Sequence, residues 1–158
     1  GLECENGIKT DQYCRTSVPN ILAIGDCTSS FNALFNKEFR LESVPNALAQ
    51  SKVASSSIVG NDLFNNEIPW FWSDQYDLKL QMAGISHGYD ECHILGDVDS
   101  AEFIACYGKD GYLIAVDSVN QSKQFMLFKR ALGNGFKLEM SLIKNENFQP
   151  KSIFSGSN

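Results

Sequence analysis

Residues Arg15 to Asp26 read RTSVPNILAIGD, and the fold turns on how this stretch is read. Ser17-Val18-Pro19-Asn20 is a turn, with Pro19 fixing φ and Asn20 tolerating unusual backbone angles. It launches the apolar run Ile21–Ile24, the pattern of a strand buried on both faces. The run stops at Gly25-Asp26, which predicts a carboxylate at the carboxyl edge of a sheet, where ligands of open α/β folds bind. Gly25 lets a ligand approach the backbone closely, and the Asp26 carboxylate can accept hydrogen bonds from a chain of hydroxyls. A plain turn aspartate would read the same way, so the surrounding sequence has to decide.

Working outward, GIKTDQY (7–13) predicts a short strand entered through a Glu-Asn-Gly turn. Residues 28–42 read as irregular, with Phe31, Leu34, Phe35 and Phe39 among Asn, Lys and Arg. From Ser43 the period becomes helical: Val44, Ala47, Leu48, Ala54 and Ile58 recur, Ser43 is the N-cap, and Pro45 in the first turn costs no hydrogen bond. Gly60-Asn61-Asp62 stops that helix. A polar linker over 61–69 follows. In the second lobe Leu78, Leu80 and Met82 alternate, and Cys92, Ile94 and Leu95 form the next apolar run. Phe103–Tyr107 and Tyr112–Val119 flank Gly108-Lys109-Asp110-Gly111, a hairpin signal because Asp-Gly supports positive φ. Phe125, Phe128 and Leu132 mark one face of a helix ending at Gly133-Asn134-Gly135. The expected class is α+β: an antiparallel sheet with a packed helix over 70–145, preceded over 1–60 by a lobe of strands and one helix. Residues 146–158 are expected to be a flexible tail.

Composition narrows the function classes. The chain has 158 residues, 43% hydrophobic and 20% charged, as in ordinary globular proteins. A net charge of −6 argues against nucleic-acid binding through the overall field. No apolar run approaches the ~20 residues of a membrane helix, and the N-terminal GLECENG lacks a basic-then-apolar leader pattern. Cys4, Cys14, Cys27, Cys92 and Cys106 show neither a CxxC motif nor zinc spacing. His87 and His93 flank Cys92 only loosely, and no fourth ligand lies at a sensible spacing. Free thiols point to a reducing compartment, and the cytoplasm is the expected location. No Ser/His/Asp or Cys/His arrangement suggests nucleophilic catalysis.

Five segments in order carry a resemblance: GLxxxxGIxxD (Gly1 to Asp11), RTSxPxIxAIGD (Arg15 to Asp26), RLESVPNALAQ (Arg40 to Gln50), PWFWSDQYDLKLQ (Pro69 to Gln81), and the Asp-Gly hairpin running into AVDSVN (Ala115 to Asn120). Together they resemble the C-terminal part of the FAD-dependent NAD(P)H:ferredoxin or rubredoxin reductases, the family of putidaredoxin reductase, the oxygenase-system ferredoxin reductases and apoptosis-inducing factor. The similarity runs to about residue 132. Members of that family are expected to carry two glycine-rich βαβ fingerprints, and no GxGxxG occurs here. The resemblance therefore implies a C-terminal piece, its residues 1–60 the closing strands and helix of an α/β FAD-binding domain, with NAD(P)H bound elsewhere. Alone it is expected to bind FAD weakly or not at all, and to be inactive as an oxidoreductase.

The resemblance implies roles for particular residues. Asp26, beside Gly25, would hydrogen-bond the ribityl chain of FAD. The helix starting at Ser43 and Val44 would aim its N-terminus at the flavin pyrimidine ring, where its partial positive charge stabilises the reduced cofactor. Trp72 would lie beside the flavin, with Trp70 as the rival and Asp74 and Gln75 fixing the turn that presents it. Arg40 and Lys52, with Lys37, would face an acidic ferredoxin or rubredoxin electron carrier. Asn120-Gln121-Ser122 departs from the Asn-Arg-Pro usual in the family, and the aromatic stretch Phe31–Phe39 is a second departure. Two other readings stay open: a stand-alone interaction or dimerisation module prone to self-association, and an α+β domain that binds a small ligand or peptide.

Overall fold

The fold is described for residues 1–32 and 34–154 of a computed structural model, which divides into two units, Gly1–Pro69 and a second beginning at Trp70. In the first unit, β1 (Ile8–Thr10) pairs parallel with β2 (Thr28–Asn32), and β2 pairs antiparallel with β3 (Lys37–Phe39). The β2–β3 hairpin corrects the irregular reading of 28–42. Its first strand is TSSFN, and hydroxyl contacts such as Thr10 to Ser30 at 2.6 Å replace the apolar alternation that marks a strand in sequence. Asn32 Oδ1 accepts the N–H groups of Leu34 and Phe35, and Asn36 at φ 49° completes the turn.

The Ile21–Ile24 run is a second correction, because it joins no sheet. Only an isolated bridge links Leu22 to Arg15, while Ile21 and Ile24 are 43% and 39% exposed. Asn20 at φ 67° folds the segment back, so that Ile21 O accepts Thr16 N–H and Ala23 N–H donates to Cys14 O. Leu22 packs on Cys14, Val53 and Ala54.

Helix α1 (Val44–Ile58) starts where Ser43, in extended backbone, accepts the Asn46 N–H at 3.2 Å. Such a cap is worth about 1 kcal/mol. The helix ends at Val59 and Gly60, the latter at φ 79°. Its buried face differs from the expected apolar stripe: Pro45, Asn46, Ala49, Gln50, Val53 and Ala54 are buried, whereas Val44, Leu48 and Ile58 are 58%, 59% and 72% exposed. Buried Asn46 donates to Leu41 O at 3.0 Å, and Gln50 is bonded to the neighbouring turn and strand. Partnered in this way, polar side chains occupy the inner face without an unpaired-dipole cost.

The second unit is a five-stranded antiparallel sheet in the order β4-β5-β8-β7-β6, from β4 (Trp70–Gln75), β5 (Leu78–Gly84), β6 (Glu91–Asp97), β7 (Glu102–Lys109) and β8 (Tyr112–Val119). The α+β class read from the sequence is the class found. Asp110 at φ 52° and Gly111 at φ 80° make the tight β7–β8 turn. Gly84 sits at φ 83°, where a Cβ would lie 2.2 Å from Ile114 O, so only glycine lets β5 pass β8 there. By register Ile104, Cys106, Val116 and Ser118 share one face, all 0% exposed, and α2 (Ser122–Gly133) covers it with Phe125 and Phe128, also 0% exposed. Leu78 and Met82 alternate as expected but lie on the opposite face, with Leu78 41% exposed; Ala83 is the residue of β5 that reaches the core, at 1%.

Residues 146–154, expected as the start of a flexible tail, continue the core instead. After the short helix α3 (Met140–Ile143), Phe148 is 9% exposed with its ring 6.3 Å from that of Phe128. A 3-10 turn (Pro150–Phe154) then sets Phe154 against Phe136 and Arg130. Periodicity misses this contact because single aromatics in a polar stretch carry no repeat. The rest of the expected tail, 155–158, lies outside the described residues.

Two titration properties follow. All five cysteines are free; burial pushes Cys14 up to about 11 and Cys106 up to about 12, while Cys4, Cys27 and Cys92 are exposed. A disulfide reagent at pH 8 should count three fast thiols and reach all five only in denaturant. Fast labelling of all five in the folded chain would refute the burial of Cys14 and Cys106.

Asp117 accepts the Tyr107 hydroxyl at 2.9 Å. Burial raises the Asp117 carboxyl above its ordinary 3.8, against the lowering effect of that hydrogen bond. Burial, first, and the Asp117 contact also raise Tyr107. A raised folded carboxyl stabilises the fold fully below the unfolded pKa, and that contribution is lost as pH rises through the folded value. Asp117→Asn keeps an acceptor for Tyr107 and removes the ionised form. It should therefore raise stability at pH 7, and the gain should vanish near pH 3, as read from Tm at both pH values.

Candidate functional site

The Gly25–Asp26 turn is held from two sides. Gly25, at φ 82°, donates its N–H to Gln50 Oε1 at 2.6 Å, and its carbonyl accepts Thr28 Oγ1 at 2.8 Å. The Asp26 carbonyl accepts Arg40 Nε at 3.0 Å, while the Asp26 side chain is exposed. A Cβ built on Gly25 would lie 3.9 Å from Ala47 Cβ, so the turn rests against the first turns of α1. The bare backbone of Gly25, the carboxylate of Asp26 and the helix start at Ser43 and Val44 therefore belong to one neighbourhood.

The helix start suits an electron-rich ligand edge. No acidic residue lies in the first turn of α1, so its partial positive charge is not cancelled there, and Val44 is exposed. A carboxylate that can accept from hydroxyls, a bare glycine and a capped helix terminus are chemically able to hold a hydroxylated, electron-rich cofactor. This donor set can bind, orient and polarise a cofactor; it holds no nucleophile paired with a base.

The expected partner-facing cations differ from one another. Arg40 is engaged, pairing with Glu42 at 2.7 Å besides holding the Asp26 carbonyl. Lys37 lies over the Phe39 ring at 5.7 Å, and Lys52 is exposed on α1. Among the described residues no group of three or more His, Cys, Asp or Glu could hold a metal ion. No helix among them is long and apolar enough to cross a membrane.

In the second unit Trp72 is 37% exposed and stacks on Trp70, with ring centroids 5.3 Å apart and planes at 30°. Lys129 Nζ of α2 lies 3.5 Å from the Trp70 centroid. Trp70 thus contacts both the cation and Trp72, and Trp72 is the more exposed of the two rings. Gln75 pairs with Leu78 to close the turn after it, and Asp74 lies 3.9 Å from Lys79. The sequence reading missed the part played by Gln50; the signal was a polar residue spaced with Asn46, Ala49 and Val53 on one helical face. It also missed Lys129, whose partner lies far away in the chain.

The fold is an α+β domain preceded in the chain by a smaller unit of a three-stranded sheet and one long helix. The chain belongs to the Reductase C-terminal family, which matches residues 70–154, more than half of it. Residues 1–51 match the pyridine nucleotide-disulphide oxidoreductase family. Putidaredoxin reductase from Pseudomonas putida is 34% identical over 99% of this chain and 37% of its own length. A ferredoxin–NAD(P)(+) reductase from a Sphingomonas species is 40% identical over 82% of this chain and 32% of its own. Among solved structures, the covalent putidaredoxin reductase–putidaredoxin complex superposes with a TM-score of 0.91 at 35% identity, over 98% of this chain and 37% of that one. A ferredoxin reductase from Rhodopseudomonas palustris gives 0.89 at 34% identity, over 96% and 37%. The chain thus spans about a third of the length of the relatives it matches.

Proposed function

We propose that this chain supplies part of the FAD-binding domain and the C-terminal domain region of a flavoprotein that passes electrons from NAD(P)H to a ferredoxin or rubredoxin. The observation that carries this is the Gly25–Asp26 turn seated on the capped start of α1, within a chain matched by reductases almost end to end. In this reading Asp26 orients the ribityl hydroxyls and Gly25 leaves room for them. The N-terminus of α1 at Ser43 and Val44 favours electron density on the pyrimidine edge. Trp72, the more exposed ring of the Trp70–Trp72 pair, is the candidate aromatic neighbour of the cofactor that the family resemblance names. Lys52 faces the acidic carrier, with Arg40, already engaged by Asp26 O and Glu42, adding to the local positive charge. The flavin, when bound, accepts a hydride and releases electrons singly; the residues here orient it and set its potential. NAD(P)H is held by the part of such reductases that this chain does not span. Five free thiols favour a cytoplasmic setting.

The test is a chimera in which this chain replaces the aligned segment of a putidaredoxin-type reductase. The chimera should purify yellow and reduce a ferredoxin with NADH. The 158-residue chain, mixed with FAD and gel-filtered, should emerge colourless and show no NADH turnover. A folded but colourless chimera would overturn the proposal.

A further inference from the structure

We propose that Gln50 is a positioning residue for the proposed flavin site, its side-chain amide setting the direction in which the Gly25–Asp26 turn presents the Asp26 carboxylate. The link to flavin rests on the function proposed above; the clamp itself rests on geometry alone. Gln50 is 4% exposed on the inner face of α1. Its Oε1 accepts the Gly25 N–H at 2.6 Å, and its Nε2 donates to Ser30 Oγ at 2.8 Å and Thr28 Oγ1 at 3.2 Å.

The amide has one workable orientation. Turned over, its NH2 would face the Gly25 N–H, donor against donor. The Thr28 hydroxyl donates to Gly25 O at 2.8 Å, which leaves its oxygen to accept from Gln50 Nε2. Ser30 in turn shares a proton with Thr10 at 2.6 Å on β1. One side chain thus ties α1 to the turn, to β2 and, through Ser30, to β1. Thr28 and Thr10 are 1% and 6% exposed, so these contacts work in a shielded setting where each counts for more.

At its far end the dipeptide is held by Arg40 Nε on Asp26 O. Gly25 N and Asp26 O are therefore both pinned, which fixes the backbone from which the carboxylate projects. Gly25 is also at positive φ, so the bare turn has more conformations to lose than any other residue would give it. A side-chain clamp is what selects one of them.

Two variants separate the parts of the clamp. Gln50→Met keeps volume and removes all polar contacts. Gln50→Glu keeps an acceptor for Gly25 N–H and removes the donor to Ser30. Amide hydrogen exchange on the 158-residue chain should show Gly25 protected in the wild type. In Gln50→Met its exchange should rise about tenfold or more, with β1 and β2 amides little changed, and Gln50→Glu should restore most of the protection. In the chimera, Gln50→Met should weaken FAD binding about tenfold and Gln50→Glu by less. Gly25 exchange that ignores both variants overturns the clamp. Faster exchange with unchanged FAD affinity, in a chimera that binds FAD, overturns the positioning role. A wild-type chimera that holds no FAD sinks the proposed function, and Gly25 exchange then decides the clamp by itself.

Discussion

Truncating Phe128 to alanine should destabilise the second unit by about 3–5 kcal/mol, the range for emptying a fully buried aromatic site. Phe128 is 0% exposed, lies under the sheet face formed by Ile104, Cys106, Val116 and Ser118, and also meets Phe148 from the C-terminal segment. Its loss removes contacts on both sides at once, and the strand backbones cannot collapse to fill the space. A domain of this size has only about 5–15 kcal/mol in total, so the variant should unfold at much lower urea. Both tryptophans, Trp70 and Trp72, lie in this unit, so their fluorescence reports its unfolding separately from the first. A cost under about 1 kcal/mol would mean that the Phe128 site is loosely packed. Phe148→Ala should show a smaller loss of the same kind, because Phe148 sits at the rim of that core.

Replacing Asp26 by alanine in the chimera should weaken FAD binding about 10- to 100-fold, the equivalent of losing hydrogen bonds to a charged acceptor. Asp26 is exposed and its backbone is held by Arg40, so the fold should survive and Tm should move little. Asp26→Asn keeps an acceptor without the charge and should fall between the two. A side chain that only shapes a turn would give the opposite pattern, with a lowered Tm and unchanged affinity. Equilibrium dialysis with FAD, alongside a melting curve for each variant, separates the two cases.

Local chemistry accounts for what was legible beforehand. Ser43 with Pro45 announced a helix start, Asp110-Gly111 announced a hairpin, and Phe125, Phe128 and Leu132 marked a buried face at helical spacing. Each of these is written within a few neighbouring residues. The strand expected at Ile21–Ile24 failed because an apolar run says that residues seek burial, not which backbone will pair with them. Asn20, by folding the chain back on Cys14 and Thr16, chose the partner. The TSSFN strand went unseen for the converse reason: its register is carried by hydroxyl contacts with Thr10 and Gln50, which leave no hydrophobic repeat.

The amino-acid sequence by itself determined the α+β class, the caps and turns, and the family resemblance, because propensity, capping and motif spacing act over short separations. Only the tertiary structure decided which face of α1 is buried, that Gln50 and Arg40 bracket the Gly25–Asp26 turn, and that Trp70 contacts both Lys129 and Trp72. These contacts join residues far apart in the chain. A polar residue is accepted inside only where distant partners satisfy it, and which partners arrive depends on the folded path of the whole unit.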